Sequence, residues 1–129
     1  MSGLVTHFEI YGEAPARLAQ FYASLFGWQI EKAPGIAYWR IRTEPESGSG
    51  LDGGVTYRPA NGTSSWLPYV TVGAVDEALA EAERMGARIV RSKTAVPRTG
   101  WYAVLADPQG NCFGIWQADR TAFPPPEPD

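Results

Sequence analysis

The chain reads as an α+β protein built from one βαβββ unit written twice. Three observations predict this. The order strand, helix, three strands occurs and then starts again; a shift of sixty residues superimposes the two apolar patterns; and each helical stripe closes on a glycine.

In the first copy, Val5 to Tyr11 alternates with a period of two, which predicts a strand. Pro15 suits a first helical position, and Leu18, Phe21, Tyr22, Leu25 and Phe26 follow at i, i+3, i+4, i+7 and i+8. This predicts a helix that ends at Gly27 and lays one apolar stripe on a sheet. Trp28–Glu31, Ala37–Arg42 and Gly54–Tyr57 are the next strands, divided by Ala33-Pro34-Gly35 and by the polar run Glu44 to Gly50, read as a mobile loop. Arg58 to Ser65 reads as a linker.

The second copy opens with a strand at Leu67–Val72. Val75, Ala78, Leu79, Ala82 and Met85 give its helix stripe, closed by Gly86. Strands are predicted at Arg88–Ser92, Trp101–Ala106 and Asn111–Gln117. Asp107-Pro108-Gln109-Gly110 joins the last two, with proline at i+1 and glycine at i+3 as a type I turn prefers. The domain is placed at 1–118, with modules at 4–58 and 66–118. Residues 119–129, which carry four prolines after Phe123, are read as a disordered tail.

Superposition by sixty sets His7 on Leu67, Ile10 on Val70 and Leu18 on Ala78. It also sets Gly50–Gly54 on Gly110–Gly114. The 129 residues suffice for one compact domain, and 44% hydrophobic against 19% charged residues favours a packed core over disorder. A net charge of −3 with scattered basic residues argues against nucleic-acid binding. Cys112 is the single cysteine, so no intrachain disulfide forms. With no leader pattern and no long apolar run, the expectation is a cytoplasmic protein that does not enter a membrane.

The segments VTHFEIYGEAPARLAQFYASLFGW and LADPQGNCFGIWQ resemble the vicinal oxygen chelate superfamily, over roughly Leu4 to Ala118. That group includes glyoxalase I, extradiol dioxygenases, methylmalonyl-CoA epimerase and bleomycin-resistance proteins. The resemblance implies a glyoxalase/bleomycin-resistance/dioxygenase-type fold with a concave cleft. It also implies one metal ligand from the first and last strand of each module. Those positions fall on His7, Gly54, Leu67 and Gly114, so only one of the four carries a donor. No cofactor and no tightly bound metal is expected, although His7 with Glu9 permits a weakly held divalent ion.

On a strand, residues i and i+2 share a face, so His7, Glu9 and Tyr11 look one way and Phe8 and Ile10 the other. By the same parity Gly54, Thr56, Tyr69, Cys112, Gly114 and Trp116 are read as ligand-binding. The two glycines are expected to leave floor space for a flat ligand. The leading expectation is a metal-free protein that binds a small organic compound or antibiotic. One alternative is a glyoxalase-like lyase, isomerase or dioxygenase with His7 and Glu9 as catalytic residues. Another is a structural or regulatory module. A homodimer is expected in each case.

Overall fold

A computed structural model describes residues 3–44, 46–48, 50–59 and 66–124. Its elements are β1 (Leu4–Gly12), α1 (Pro15–Phe26), β2 (Gln29–Lys32), β3 (Tyr38–Arg42), β4 (Asp52–Tyr57), β5 (Trp66–Thr71), α2 (Val75–Arg84), β6 (Arg88–Val96), β7 (Gly100–Ala106) and β8 (Cys112–Ala118). All ten elements expected from the sequence are present, in the expected order, and the protein is α+β with two βαβββ modules. The chain forms two compact units, Thr6–Pro68 and Met1–Val5 with Tyr69–Asp129, called here the first and second modules.

In the first module the strands lie in the order β2-β3-β4-β1. β1 and β4 are parallel, with Glu9 opposite Gly54, Ile10 opposite Val55 and Tyr11 opposite Thr56. The second module has the order β5-β8-β7-β6, with Tyr69 opposite Gly114, Val70 opposite Ile115 and Thr71 opposite Trp116. Each of these pairs is its counterpart displaced by sixty residues. The offset fails in the hairpins, because Arg40 faces Gly54 while Val104, rather than residue 100, faces Gly114. The β6–β7 hairpin is longer and carries two register irregularities.

The core of each module lies between its helix and one face of its strands. In the first, Ile10, Ile41 and Val55 are buried, with Phe8, Leu18, Tyr22, Trp28, Ile30 and Trp39 packed on them. In the second, Val72, Val75, Ala78, Ala103, Leu105 and Ile115 are buried under Leu79, Ala82, Trp101 and Phe113. α1 stops at Gly27, whose φ of 72° is the left-handed conformation that glycine adopts without strain. The first backbone N–H of α2, on Val75, donates to the Gln117 side chain of β8 at 2.9 Å, which supplies a cap that Ala74 cannot.

Two sequence expectations need correction. The α1 stripe is split: Leu18 and Tyr22 pack on the sheet, but Phe21, Leu25 and Phe26 are 55–59% exposed. The buried face is turned away from the stripe and runs through Pro15, Leu18, Ala19 and Tyr22. Residues 119–122 are also not a loose tail. Asp119 accepts the Trp101 indole N–H at 3.0 Å, and the backbone N–H of Arg98 donates to the carbonyl of Ala122, which is fully buried. Residues 125–129, two residues of the 44–50 loop and residues 60–65 of the linker lie outside the described residues.

Candidate functional site

Because Phe8, Ile10, Trp39, Ile41 and Val55 are committed to the helix side, strand alternation turns the residues between them to the opposite, open face of the first module. The strand register orders this face into three rows. Gln29, Arg42, Asp52 and His7 form one; Glu31, Arg40, Gly54 and Glu9 the next; Tyr38, Thr56 and Tyr11 the third. A pocket of about 480 Å3 opens over the first two rows and is lined by His7, Gln29, Glu31, Tyr38, Arg40, Arg42 and Asp52, with Ile41 and Gly53.

Glu9 sits at the centre of the hydrogen bonding. The Tyr11 hydroxyl donates to its Oε1 at 2.7 Å, and the Tyr38 hydroxyl donates to the same carboxylate. Burial raises the Tyr38 phenol well above its ordinary range, and the Glu9 charge, its hydrogen bond with Glu9 and the neighbouring Tyr11 add to this, against a smaller opposing pull from Arg40. Tyr38 is therefore a fixed donor. The Thr56 hydroxyl donates to the Ala37 carbonyl at 2.7 Å, tying β4 to the start of β3. Burial pushes the His7 imidazole below its ordinary value, with the Glu9 charge pulling the other way, so the ring is neutral near pH 7. The Thr6 hydroxyl lies 3.3 Å from its Nδ1.

The floor expected at the two glycines is not open. A Cβ on Gly54 would collide with the Tyr38 ring, and a Cβ on Gly114 would collide with the Tyr69 ring. Each missing side chain is thus replaced by a tyrosine from a neighbouring strand. On the open face of the second module, Tyr69 is buried and meets Tyr102 edge-on at 6.4 Å, and the Arg91 guanidinium stacks over Tyr102 at 5.6 Å. Cys112 and Trp116 are half-buried on that face, opposite Ala106 and Tyr102.

The structure thus brings His7, Glu9, Tyr11, Gly54 and Thr56 together on one face of the first module, and Tyr69, Cys112, Gly114 and Trp116 on one face of the second. Sequence reasoning missed Tyr38, Arg40 and Arg42. Their signal was present, since they alternate with the core residues Trp39 and Ile41. The residues do not fit the superfamily's metal. Gly54, Leu67 and Gly114 offer no side-chain donor, the glycine positions are filled by phenol rings, and no cluster of three His, Cys, Asp or Glu side chains occurs among the described residues. None of the described helices is long and apolar enough to cross a membrane.

A doubled βαβββ architecture with an open polar face defines an α+β protein of the vicinal oxygen chelate type. Residues 9–116 match the glyoxalase-like domain family, and the chain belongs to it. It is 27% identical over 105 residues to mycobacterial proteins, from Mycobacterium bovis and Mycobacterium tuberculosis, that carry the provisional name glyoxylase CFP32. The match covers 78% of this chain and 40% of those proteins, so the chain spans less than half of their length. In fold it is similar to a glyoxalase/bleomycin resistance protein/dioxygenase superfamily member from Vibrio splendidus. There the TM-score is 0.60 at 15% identity, covering 92% of this chain and 100% of the other. It is also similar to the Streptomyces coelicolor methylmalonyl-CoA epimerase, with a TM-score of 0.61 at 13% identity over 94% and 98% of the two chains.

Proposed function

We propose that this chain binds a small organic molecule without a metal ion, on the open face of its first module, and sequesters it without transforming it. The observation that carries this reading is the Gly54, Tyr38 and Glu9 arrangement. Where a metal-binding relative would need a carboxylate, this chain has a glycine whose space holds a phenol, and that phenol donates to Glu9. Glu9 accepts from two hydroxyls, which suits a carboxylate that holds the face in shape. The donors around the pocket, Arg40, Arg42 and Gln29, suit a ligand rich in oxygen acceptors.

Native mass spectrometry and elemental analysis of protein purified without chelators test the reading. The expected result is no stoichiometric metal, and saturable binding of a small compound that Arg40→Ala and Tyr38→Phe weaken. One divalent ion per chain that is lost in His7→Ala would overturn it.

A second reading, a lyase or isomerase that moves a proton beside a carbonyl, draws support from one observation. The His7 imidazole is held neutral beside the pocket, as a general base requires. Turnover of α-keto hemithioacetals that disappears in both His7→Ala and Glu9→Gln would favour it over sequestration.

A further inference from the structure

The two modules fill the space between helix and sheet differently. In the first, Leu18 and Tyr22 of α1 pack into it, and the Trp66 indole closes on Phe8, stacked at 5.2 Å, and on Tyr22, edge-on at 5.8 Å. Sixty residues on, Ala78 and Ala82 of α2 stand where Leu18 and Tyr22 stand in α1. With small side chains at both positions, the second module has a pocket of about 410 Å3 between α2 and its strands, a volume in the range of small-molecule sites. Among the described residues its lining includes the buried Val72, Leu105 and Ile115, the half-buried Phe113 and the exposed Met85. Glu81 is the one ionisable lining residue. It shares a side of α2 with Ala78, Ala82 and Met85, at the position that Phe21 holds in α1.

We propose that this pocket is a binding site for a small organic cation with an apolar, aromatic body, an arylalkylammonium, bound by the second module alone. The body follows from the lining. The corresponding space of the first module is taken by a phenol and an indole, so it suits an aromatic ring, and the Phe113 ring and Met85 thioether both attract aromatic partners. The charge follows from α2. Asp76, Glu77, Glu81 and Glu83 stand there against Arg84, so the field at the pocket draws cations and repels carboxylates. Arg84 donates to each Glu81 oxygen and fixes the carboxylate beside the pocket. A carboxylate has about four acceptor sites, so lone pairs remain for an ammonium.

Methyl NMR titration of the full chain at neutral pH tests the proposal, with phenethylammonium, phenethyl alcohol and phenylpropanoate as probes. Phenethylammonium is expected to shift the Met85, Val70 and Val72 methyl signals saturably, with a dissociation constant below about 1 mM. The Ile41 methyls, which line the first-module pocket, are expected to stay in place. The alcohol should bind about threefold to fivefold more weakly, the reach of an exposed ion pair, and the carboxylate more weakly still. Glu81→Gln, at an exposed position that the fold tolerates, should erase the preference for the cation and leave the alcohol's affinity unchanged. Ala82→Tyr, which installs the residue of α1, should weaken phenethylammonium and the alcohol at least about tenfold with an unchanged circular dichroism spectrum. No shift at the three reporter residues, a response centred on Ile41, a carboxylate that binds as tightly as the cation, or affinity indifferent to both variants would overturn it. Binding that appears only after Met1 and Ser2 are removed would assign the pocket to the chain's own first residues and would equally overturn it. The proposal is independent of the ligand reading of the first module, which neither variant touches.

Discussion

The ring of Tyr38 lies where the side chain of residue 54 would be, and glycine at 54 is what admits it. Gly54→Ala forces the ring aside and strains its bond to Glu9. A loss of about 1 to 3 kcal/mol in urea unfolding is expected, the usual cost of overpacking. Tyr38→Ala should absorb most of the added methyl, so the double variant should cost less than the sum of the single ones. Gly114→Ala is expected to cost more than Gly54→Ala. It meets the side of the buried Tyr69 ring, whereas Gly54 meets the far end of Tyr38.

A second expectation concerns acid. The folded state lowers the His7 pKa below 6.5, so the unfolded chain binds the proton more readily. Stability from this group is complete above about pH 6.5 and is lost as pH falls through the folded value. Unfolding measured from pH 7.5 to 5 should show this decline, and His7→Gln should flatten it.

Tyr38 gives the opposite sign. Its folded pKa is raised above the ordinary 10.0, so the native state holds the proton longer than the unfolded chain. Its contribution is complete below pH 10 and is lost as pH rises towards the folded value. In an absorbance titration near 295 nm, Tyr38 should ionise later than an ordinary phenol. Tyr38→Phe should remove one phenol from that late component.

The split of the α1 stripe predicts unequal costs for one substitution. Leu18→Ala removes a side chain packed on Ile10, Ile41 and Val55, and about 2 kcal/mol or more should be lost. Leu25→Ala, seven residues on, should change unfolding by less than about 0.5 kcal/mol. Equal costs would show that the helix packs with a different face.

The doubled unit was legible because alternation and helical spacing are local properties. The sixty-residue offset captured the register of β1 on β4 and of β5 on β8. His7, Glu9 and Tyr11 share a face for the same local reason. Tyr38 was missed as a site residue because its role depends on which residue of β4 it faces. That register is set by hairpin length, which a single strand does not reveal. The floor at Gly54 and Gly114 was misjudged for a related reason: a glycine leaves room, but only its neighbours across the sheet decide who takes it. The α1 stripe misled in a third way, since spacing shows that five residues share a side but not that the sheet takes the face of Pro15 and Ala19 in place of Phe21 and Leu25.

Gly3 carries a consequence for how the molecule assembles in time. It packs against Val70 and lines a pocket with Leu105, Phe113 and Ile115, so the second module takes in a segment that precedes the first module in the sequence. On a ribosome those first residues emerge early and wait for partners more than sixty positions later. The first module is contiguous from Thr6 to Pro68, so α1 and the strands β2 to β4 are all made before β6, β7 and β8. Its folding can begin during translation, whereas the second module closes last, with the loop entropy of the intervening chain already partly spent.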